Sequence, residues 1–242
     1  MKPRVAIIGY GRFGRFAAGQ LAGSCRVFVA DEREDLALDR RCTRISIPEA
    51  GTFRFIVLAV PMNRLPALLR AISPLVRPGS LVIDVCSVKE KPVQWMKQLL
   101  PKHAGILGTH PLFGPDSARR TVSGKQIVLC PVRIPRGQLA RISRHLAAAG
   151  LEPAVMSPSR HDRLMARTLF LTQYVGRGLM PLSLPGRTPA TENYRMLLRI
   201  VGTTAKDTEE LFRDMYRYNR FARTVPGEVV REMQKVKESL RG

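Results

Sequence analysis

Residues 108–115, Gly-Thr-His-Pro-Leu-Phe-Gly-Pro, set a single histidine, His110, just after an apolar strand-like run, Ala104–Leu107. Pro111 and Pro115 stiffen the segment, which reads as a loop. A neutral imidazole held at a strand end accepts a proton near neutral pH, so the spacing points to general-base chemistry. A His-Pro pair alone carries little; a loop histidine with no chemical role is the plainer reading. The pattern gains weight from the chain start. Residues 4–8 (Arg-Val-Ala-Ile-Ile) read as a short buried strand, Gly9-Tyr10-Gly11-Arg12-Phe13-Gly14 follows, and a helix runs from about Arg12 to Leu21. In that setting Gly9 permits the tight turn, Gly11 lets backbone approach a pyrophosphate, and Gly14 lets helix and strand pack closely. The helix-start N–H groups, with Arg12 and Phe13 beside them, then face the phosphates. A second strand, Arg26–Ala30, ends in Asp31, seventeen residues after Gly14. An acid there accepts hydrogen bonds from both ribose hydroxyls and repels a 2′-phosphate, which favours NAD over NADP. Arg33 lies close enough to soften that preference.

The elements around these residues set the class. Strand and helix signals alternate through the first 150 residues, the mark of a parallel α/β sheet. Phe53–Val60 reads as a buried strand ending at Pro61, with a helix from about Asn63 to Ile72. Pro78-Gly79 turns into the strand Ser80–Val85, and a helix follows near Lys91–Leu100. Beyond the His110 loop come the strand Gln126–Leu129, an amphipathic helix Pro135–Ala149 stopped by Gly150, and a last strand Glu152–Met156. Helical periodicity then takes over. Arg160–Pro181 spans about six turns of 3.6 residues, and Pro181–Pro189 breaks the pattern. Helices are predicted near Ala190–Val201, Lys206–Arg223 and Glu228–Leu240. The fold class is therefore α/β: a Rossmann-type doubly wound parallel sheet over 1–157, then an all-helical domain over 158–242. A helical block of that size buries a low fraction of its surface, so packing on the first domain and on a second copy, as a homodimer, is expected.

Composition narrows the partners. Hydrophobic residues make up 45% of the 242, ample for a core. Cys25, Cys42, Cys86 and Cys130 show no paired spacing and read as reduced thiols. Neither they nor the scattered His103, His110, His145 and His161 suggest a metal site. No run approaches the roughly 18 apolar residues of a membrane span, and the basic N-terminus lacks a signal-like apolar run behind it. A cytoplasmic protein is expected. The formal charge of +21 is spread along the chain with no basic tail, and aromatic residues are only 6%. A cationic surface that attracts anionic metabolites fits this better than nucleic-acid binding.

Ordered motifs link these pieces: Gly9–Gly14, Leu58-Ala59-Val60-Pro61, Asp84-Val85-Cys86-Ser87-Val88-Lys89, Gly108–Pro115 and His161-Asp162-Arg163-Leu164-Met165-Ala166. Asn193-Tyr194-Arg195-Met196-Leu197 and Leu211-Phe212-Arg213-Asp214-Met215 continue the series. In this set and order the chain resembles the prephenate/arogenate dehydrogenase family of tyrosine biosynthesis over nearly its whole length. The resemblance implies an NAD-dependent oxidative decarboxylation of prephenate to 4-hydroxyphenylpyruvate, acting on a cyclohexadienyl dicarboxylate. Aromatisation drives such a step, so the protein mainly supplies a base, a bound cofactor and cationic anchors. By resemblance His110 is the base and Ser87 orients it; Ser87 also reads as a helix N-cap, since Ser87-x-x-Glu90 makes a capping box. Ala59, Val60 and Pro61 border the nicotinamide, or merely end a strand. Lys89 and Arg195 are candidate partners of substrate carboxylates, and His161 either touches the substrate region or caps the long helix.

Two positions depart from the family pattern. The family commonly carries a histidine where this chain has Gln173, and close relatives place an arginine for the ring carboxylate at Thr203. Arg199, one turn earlier, is a possible substitute. These changes leave hydride chemistry intact and open the substrate: arogenate or 4-amino-4-deoxyprephenate are alternatives to prephenate. From another class, a catalytically silent NAD-binding regulatory protein is the alternative.

Overall fold

The computed structural model describes residues 2–118, 121–186 and 189–241. They form two compact units, Met1–Pro158 and Ser159–Gly242.

The first unit is built on one sheet. Its strands are β1 (Arg4–Ile8), β2 (Arg26–Ala30), β3 (Cys42–Arg44), β4 (Phe55–Leu58), β5 (Leu81–Asp84), β6 (Gly105–Pro111), β7 (Gln126–Arg133) and β8 (Glu152–Val155). Their order across the sheet is β3-β2-β1-β4-β5-β6-β7-β8. Strands β1 to β6 pair in parallel. The parallel order is broken once, at β7, which runs antiparallel to β6, with β8 parallel to β7. The central strands are apolar without alternation, as strands covered on both faces must be. Ile7, Ile56, Leu58, Val82 and Leu107 are all fully buried.

The order reverses beside β1, where the chain leaves toward β3 on one side and β4 on the other. In open α/β sheets, ligands bind at the carboxyl ends of strands beside such a reversal. Helix α1 (Arg12–Leu21) follows β1 directly. A short helix α2 (Ile47–Gly51), absent from the sequence reading along with β3, starts at Ser46, whose hydroxyl accepts from Glu49 N at 3.2 Å. Helices α3 (Leu65–Ile72), α4 (Glu90–Leu99) and α5 (Arg136–Ala148) complete the unit.

The second unit is helical. The run expected over Arg160–Pro181 is three pieces: α6 (Pro158–Met165), a π-helical turn Ala166–Phe170, and α7 (Leu171–Leu179). The widened turn sits in the unit's apolar cluster, where Phe170 stacks on Phe212 at 5.5 Å and Tyr216 at 5.8 Å between ring centres. Helix α8 (Glu192–Thr204) packs on α7 where Gly176 meets Thr204. A Cβ on Gly176 would lie 2.5 Å from the Thr204 hydroxyl, so only glycine permits the approach. Helices α9 (Glu209–Tyr218) and α10 (Val225–Ser239) follow, joined by a 3-10 turn, Arg220–Thr224. Residues 187 and 188 of the expected Pro/Gly break lie outside the described residues.

Candidate active site

The glycine turn is built by contacts that leave no room for side chains. Gly9 has φ +100°, and a Cβ on it would meet the Ala59 carbonyl at 2.5 Å, so the turn presses onto the end of β4. A Cβ on Gly14 would lie 2.0 Å from the Gly9 carbonyl oxygen. Gly11 is different: nothing lies within 4 Å of its absent Cβ. It is the N-cap of α1, and no side chain caps the helix. Open space before uncapped N–H groups is what a pyrophosphate requires, and the residues present fit a dinucleotide.

Asp31 closes the far side of this turn. Its carboxylate accepts from Tyr10 N at 2.6 Å and from both the backbone N and Nε of Arg33 at 3.0 Å. Burial alone would raise the Asp31 carboxyl, but the Arg33 and Tyr10 hydrogen bonds outweigh it and hold the group below the usual carboxylate range. The buried Tyr10 hydroxyl accepts from Asp39 N at 3.1 Å, which fixes the loop after β2. Ala59 is pinned to β1 through its N–H on the Ile8 carbonyl at 2.8 Å, while Val60 is half-buried and the exposed Pro61 begins a 3-10 turn, Met62–Arg64. Arg12, the first residue of α1, is exposed and bridges to Asp116 at 2.6 Å. Phe16 packs edge-on against Phe113, with centres 6.1 Å apart, and Phe13 against Phe16 at 6.0 Å. The segment after His110 thus leans on the helix that follows the glycine turn.

His110 does not sit in a loop. It lies inside β6, opposite Val128 of β7, and is buried. Pro111 is tolerated as the last strand residue, and Leu112 N resumes the ladder to the Gln126 carbonyl at 2.9 Å. On the other side of β6, Gly108 pairs with Asp84 of β5. Ser87 lies three residues beyond Asp84, so the serine and the histidine stand at the carboxyl ends of neighbouring parallel strands. The capping box expected of Ser87 is not formed. Helix α4 starts two residues late for it, with Lys89 at the N-cap and no side-chain cap bond. The Ser87 Oγ is buried and has no hydrogen-bond partner. A buried hydroxyl without a partner is costly, and a bound donor or acceptor would relieve the cost.

Lys89 is placed otherwise than the sequence suggested. It is fully buried, its ammonium pairs with the equally buried Asp84, and it donates to the Thr109 carbonyl at 2.6 Å. A substrate carboxylate arriving from solvent cannot reach it, so it is an internal strut. Burial pushes the Asp84 carboxyl up, with the Lys89 ammonium pulling against that shift. Asp84 and Thr109 were not singled out by the sequence reading, although the Asp-x-x-Ser-x-Lys spacing contained the signal.

The remaining candidates lie in the helical unit. His161 is fully buried in the first turn of α6, and its Nδ1 sits 2.7 Å from Asp162 Oδ1, so it is not a helix cap. Asn219 donates to the Asp162 carbonyl at 2.8 Å. Gln173, buried in α7, donates through Nε2 to Asp207 Oδ2 at 2.6 Å, and its Oε1 has no partner. Arg195 and Arg199 are exposed and converge on one carboxylate, Glu192, at 3.5 and 2.6 Å. Thr203 is also exposed, and its hydroxyl turns back onto the Arg199 carbonyl at 2.8 Å. Within this unit, Arg195 and Arg199 are together, and His161 and Gln173 each have their own acidic partner. Among the described residues no cluster of three or more His, Cys, Asp or Glu suited to a metal occurs. No helix among them is long and apolar enough to cross a membrane.

The chain is similar to known proteins. The model for "Prephenate dehydrogenase, nucleotide-binding domain" matches residues 26–152, and that for "TYRAAT1-like, C-terminal domain" matches 182–242. Arogenate dehydrogenase 2 (chloroplastic) of Arabidopsis thaliana is 29% identical over 89% of this chain and 64% of its own length. Arogenate dehydrogenase 1 of the same plant is 29% identical over 89% of this chain and 36% of its own. The chain therefore spans less than two thirds of the length of these relatives. Among solved structures, the prephenate dehydrogenase of Aquifex aeolicus, in complex with hydroxyphenyl propionate and NAD+, superimposes with a TM-score of 0.75 at 22% identity. That match covers 99% of this chain and 91% of the other. Synechocystis arogenate dehydrogenase gives 0.71 at 20% identity, over 98% and 92%. These likenesses show the fold, and the family model, which spans over half of the residues, fixes the kinship: the chain belongs to the prephenate dehydrogenase family.

Proposed function

We propose that the chain is an NAD-dependent dehydrogenase that oxidises and decarboxylates a cyclohexadienol of the prephenate or arogenate type. The observation that carries the reading is the unpartnered, buried Ser87 hydroxyl at the strand end beside the one that bears His110. Bound NAD+ supplies the acceptor for the hydride that leaves C4 of the ring. His110 takes the proton of the C4 hydroxyl, and Ser87 hydrogen-bonds to that hydroxyl or to the imidazole and orients them. The electron pair of the bond to the ring carboxylate enters the ring as CO2 departs, and the product is aromatic. In the helical unit, Arg195 and Arg199 remain the candidate carboxylate partners, and their shared hold on Glu192 is an exposed pairing worth little in water.

Prephenate and arogenate differ only in a side-chain keto group against an amine. The names of the plant relatives, arogenate dehydrogenases 1 and 2, support arogenate. NADH formation with prephenate, arogenate and 4-amino-4-deoxyprephenate in parallel tests the reading. Turnover on either of the first two is expected. Silence on all three, with NAD still bound, would leave a binding protein without this activity.

Asp31 makes NAD the expected cofactor, since a 2′-phosphate would meet its carboxylate. Its own partner, the exposed Arg33, lies ready to receive that phosphate. Asp31→Ser should raise the ratio of kcat/KM for NADP+ over NAD+ by about 10- to 100-fold, a shift of roughly 1.4–3 kcal/mol in discrimination. An unchanged ratio would remove Asp31 from the ribose site.

The helical unit leaves apolar side chains exposed along α10 at Val230, Met233 and Val236, at its C-cap Leu240, and on α8 at Met196 and Ile200. Rows of this kind mark association faces, and a homodimer is the assembly we assign to them. Light scattering at micromolar concentration should give twice the 27.0 kDa of the chain. A monomeric mass would overturn the assignment.

A further inference from the structure

Lys89, Asp84 and Thr109 form a buried cluster that the chemistry above does not use. Both charges are fully buried. One oxygen of Asp84 is held by the Lys89 ammonium and by Cys86 N at 3.0 Å. Thr109 is fixed twice: its carbonyl accepts from Lys89 Nζ at 2.6 Å, and its hydroxyl donates to the Asp84 carbonyl at 2.7 Å. Gly108 completes the fit, because a Cβ there would press to 3.3 Å from the second Asp84 oxygen and 3.1 Å from Val93. Desolvating two charges costs several kcal/mol per ion, and an ion pair of this kind seldom repays it in stability. Its position offers the reason. Asp84 and Lys89 flank Ser87, and Thr109 immediately precedes His110.

We propose that the Asp84–Lys89 pair is a positioning device: it ties the Ser87 segment to the peptide before His110 and fixes the hydroxyl and the imidazole in mutual register. The proposal rests on His110 acting as the base. Displacements of about 1 Å in such a pair cost on the order of 100-fold in rate. Lys89 and Asp84 are both fully buried, so their loss should act on turnover rather than on NAD binding.

Removing one partner would strand a buried charge, so the test replaces both, as Asp84→Asn with Lys89→Met, beside the milder Thr109→Val. Thr109→Val keeps the shape and deletes only the hydroxyl bond to Asp84. Two readouts are taken on the full chain: turnover on the accepted substrate, and the histidine side-chain NMR spectrum, with His110 assigned by its loss in His110→Asn. In the double variant kcat should fall by about tenfold or more while NAD affinity stays within about threefold. The His110 signal should shift or broaden while those of the distant His103 and His145 stay in place. Thr109→Val should show the same pattern at smaller amplitude, and it carries the test if the double variant does not fold. An unmoved His110 signal, or kcat within about twofold of the parent, overturns the proposal. A parent that is silent on every substrate, with a His110 signal that still responds, would overturn the base assignment and leave the positioning intact.

Discussion

His110→Asn is expected to lower kcat by about 10²- to 10⁴-fold, the range a positioned proton acceptor supplies. Asparagine keeps a polar side chain of similar reach and removes the basic nitrogen. The backbone should hold, because His110 is paired with Val128 inside β6 and is not on a free loop. NAD affinity should stay within about twofold, since the glycine turn and Asp31 are untouched. Loss of turnover with retained cofactor binding would separate chemistry from folding. Near-parent turnover would refute the base assignment outright, and Ser87 would then have no imidazole to orient.

Gly14→Ala should produce the other large effect, by a different route. The added Cβ would lie 2.0 Å from the Gly9 carbonyl oxygen and 2.9 Å from its carbon, both backbone atoms of the turn. Neither can yield as a flexible side chain would, so α1 must move away from β1. Overpacking of this kind costs about 1–3 kcal/mol, and the helix N-terminus moves with it. NAD affinity should drop by about 100-fold or more, or roughly 2.7 kcal/mol. Gly11→Ala is the contrasting case. Its Cβ enters open space, so thermal stability should match the parent while NAD binding weakens. Parent-like NAD binding by Gly11→Ala would place the phosphates elsewhere. Calorimetric titration with NAD+ and a melting curve for each variant give both answers.

The nucleotide half of the site was legible because its signals are local. A strand, three glycines, a helix and an acid follow one another within 31 residues, and the structure reproduces β1, α1 and β2 at the bounds read from the sequence. The His110 segment was less so. Pro111 and Pro115 suggested a loop, but a proline at a strand end forfeits only one donor, and pairing on both sides of β6 prevails over local propensity. The burial of Lys89 is hidden from the sequence for a related reason. Nothing within a few residues shows that a lysine will be buried, and its acceptor, the Thr109 carbonyl, is twenty residues away. The three residues of β3 and the five of α2 are too short for periodicity to register, though Ser46 with Pro48 and Glu49 carried a start signal. The π-helical turn, Ala166–Phe170, leaves no mark of its own in a pattern read at 3.6 residues per turn.

The two outermost strands of the sheet set a limit on how this chain can stick to itself. Strand β3 has three residues, and Arg44 at its end donates to the carbonyls of Arg33 and Leu36, which draws the preceding loop against that side. Strand β8 has four, among them Pro153, which lacks an amide hydrogen, after the charged Glu152. Short, charged and proline-interrupted margins give a foreign strand little to extend. An eight-stranded sheet rich in Val, Ile and Leu is thereby guarded against edge-to-edge aggregation and amyloid-like growth.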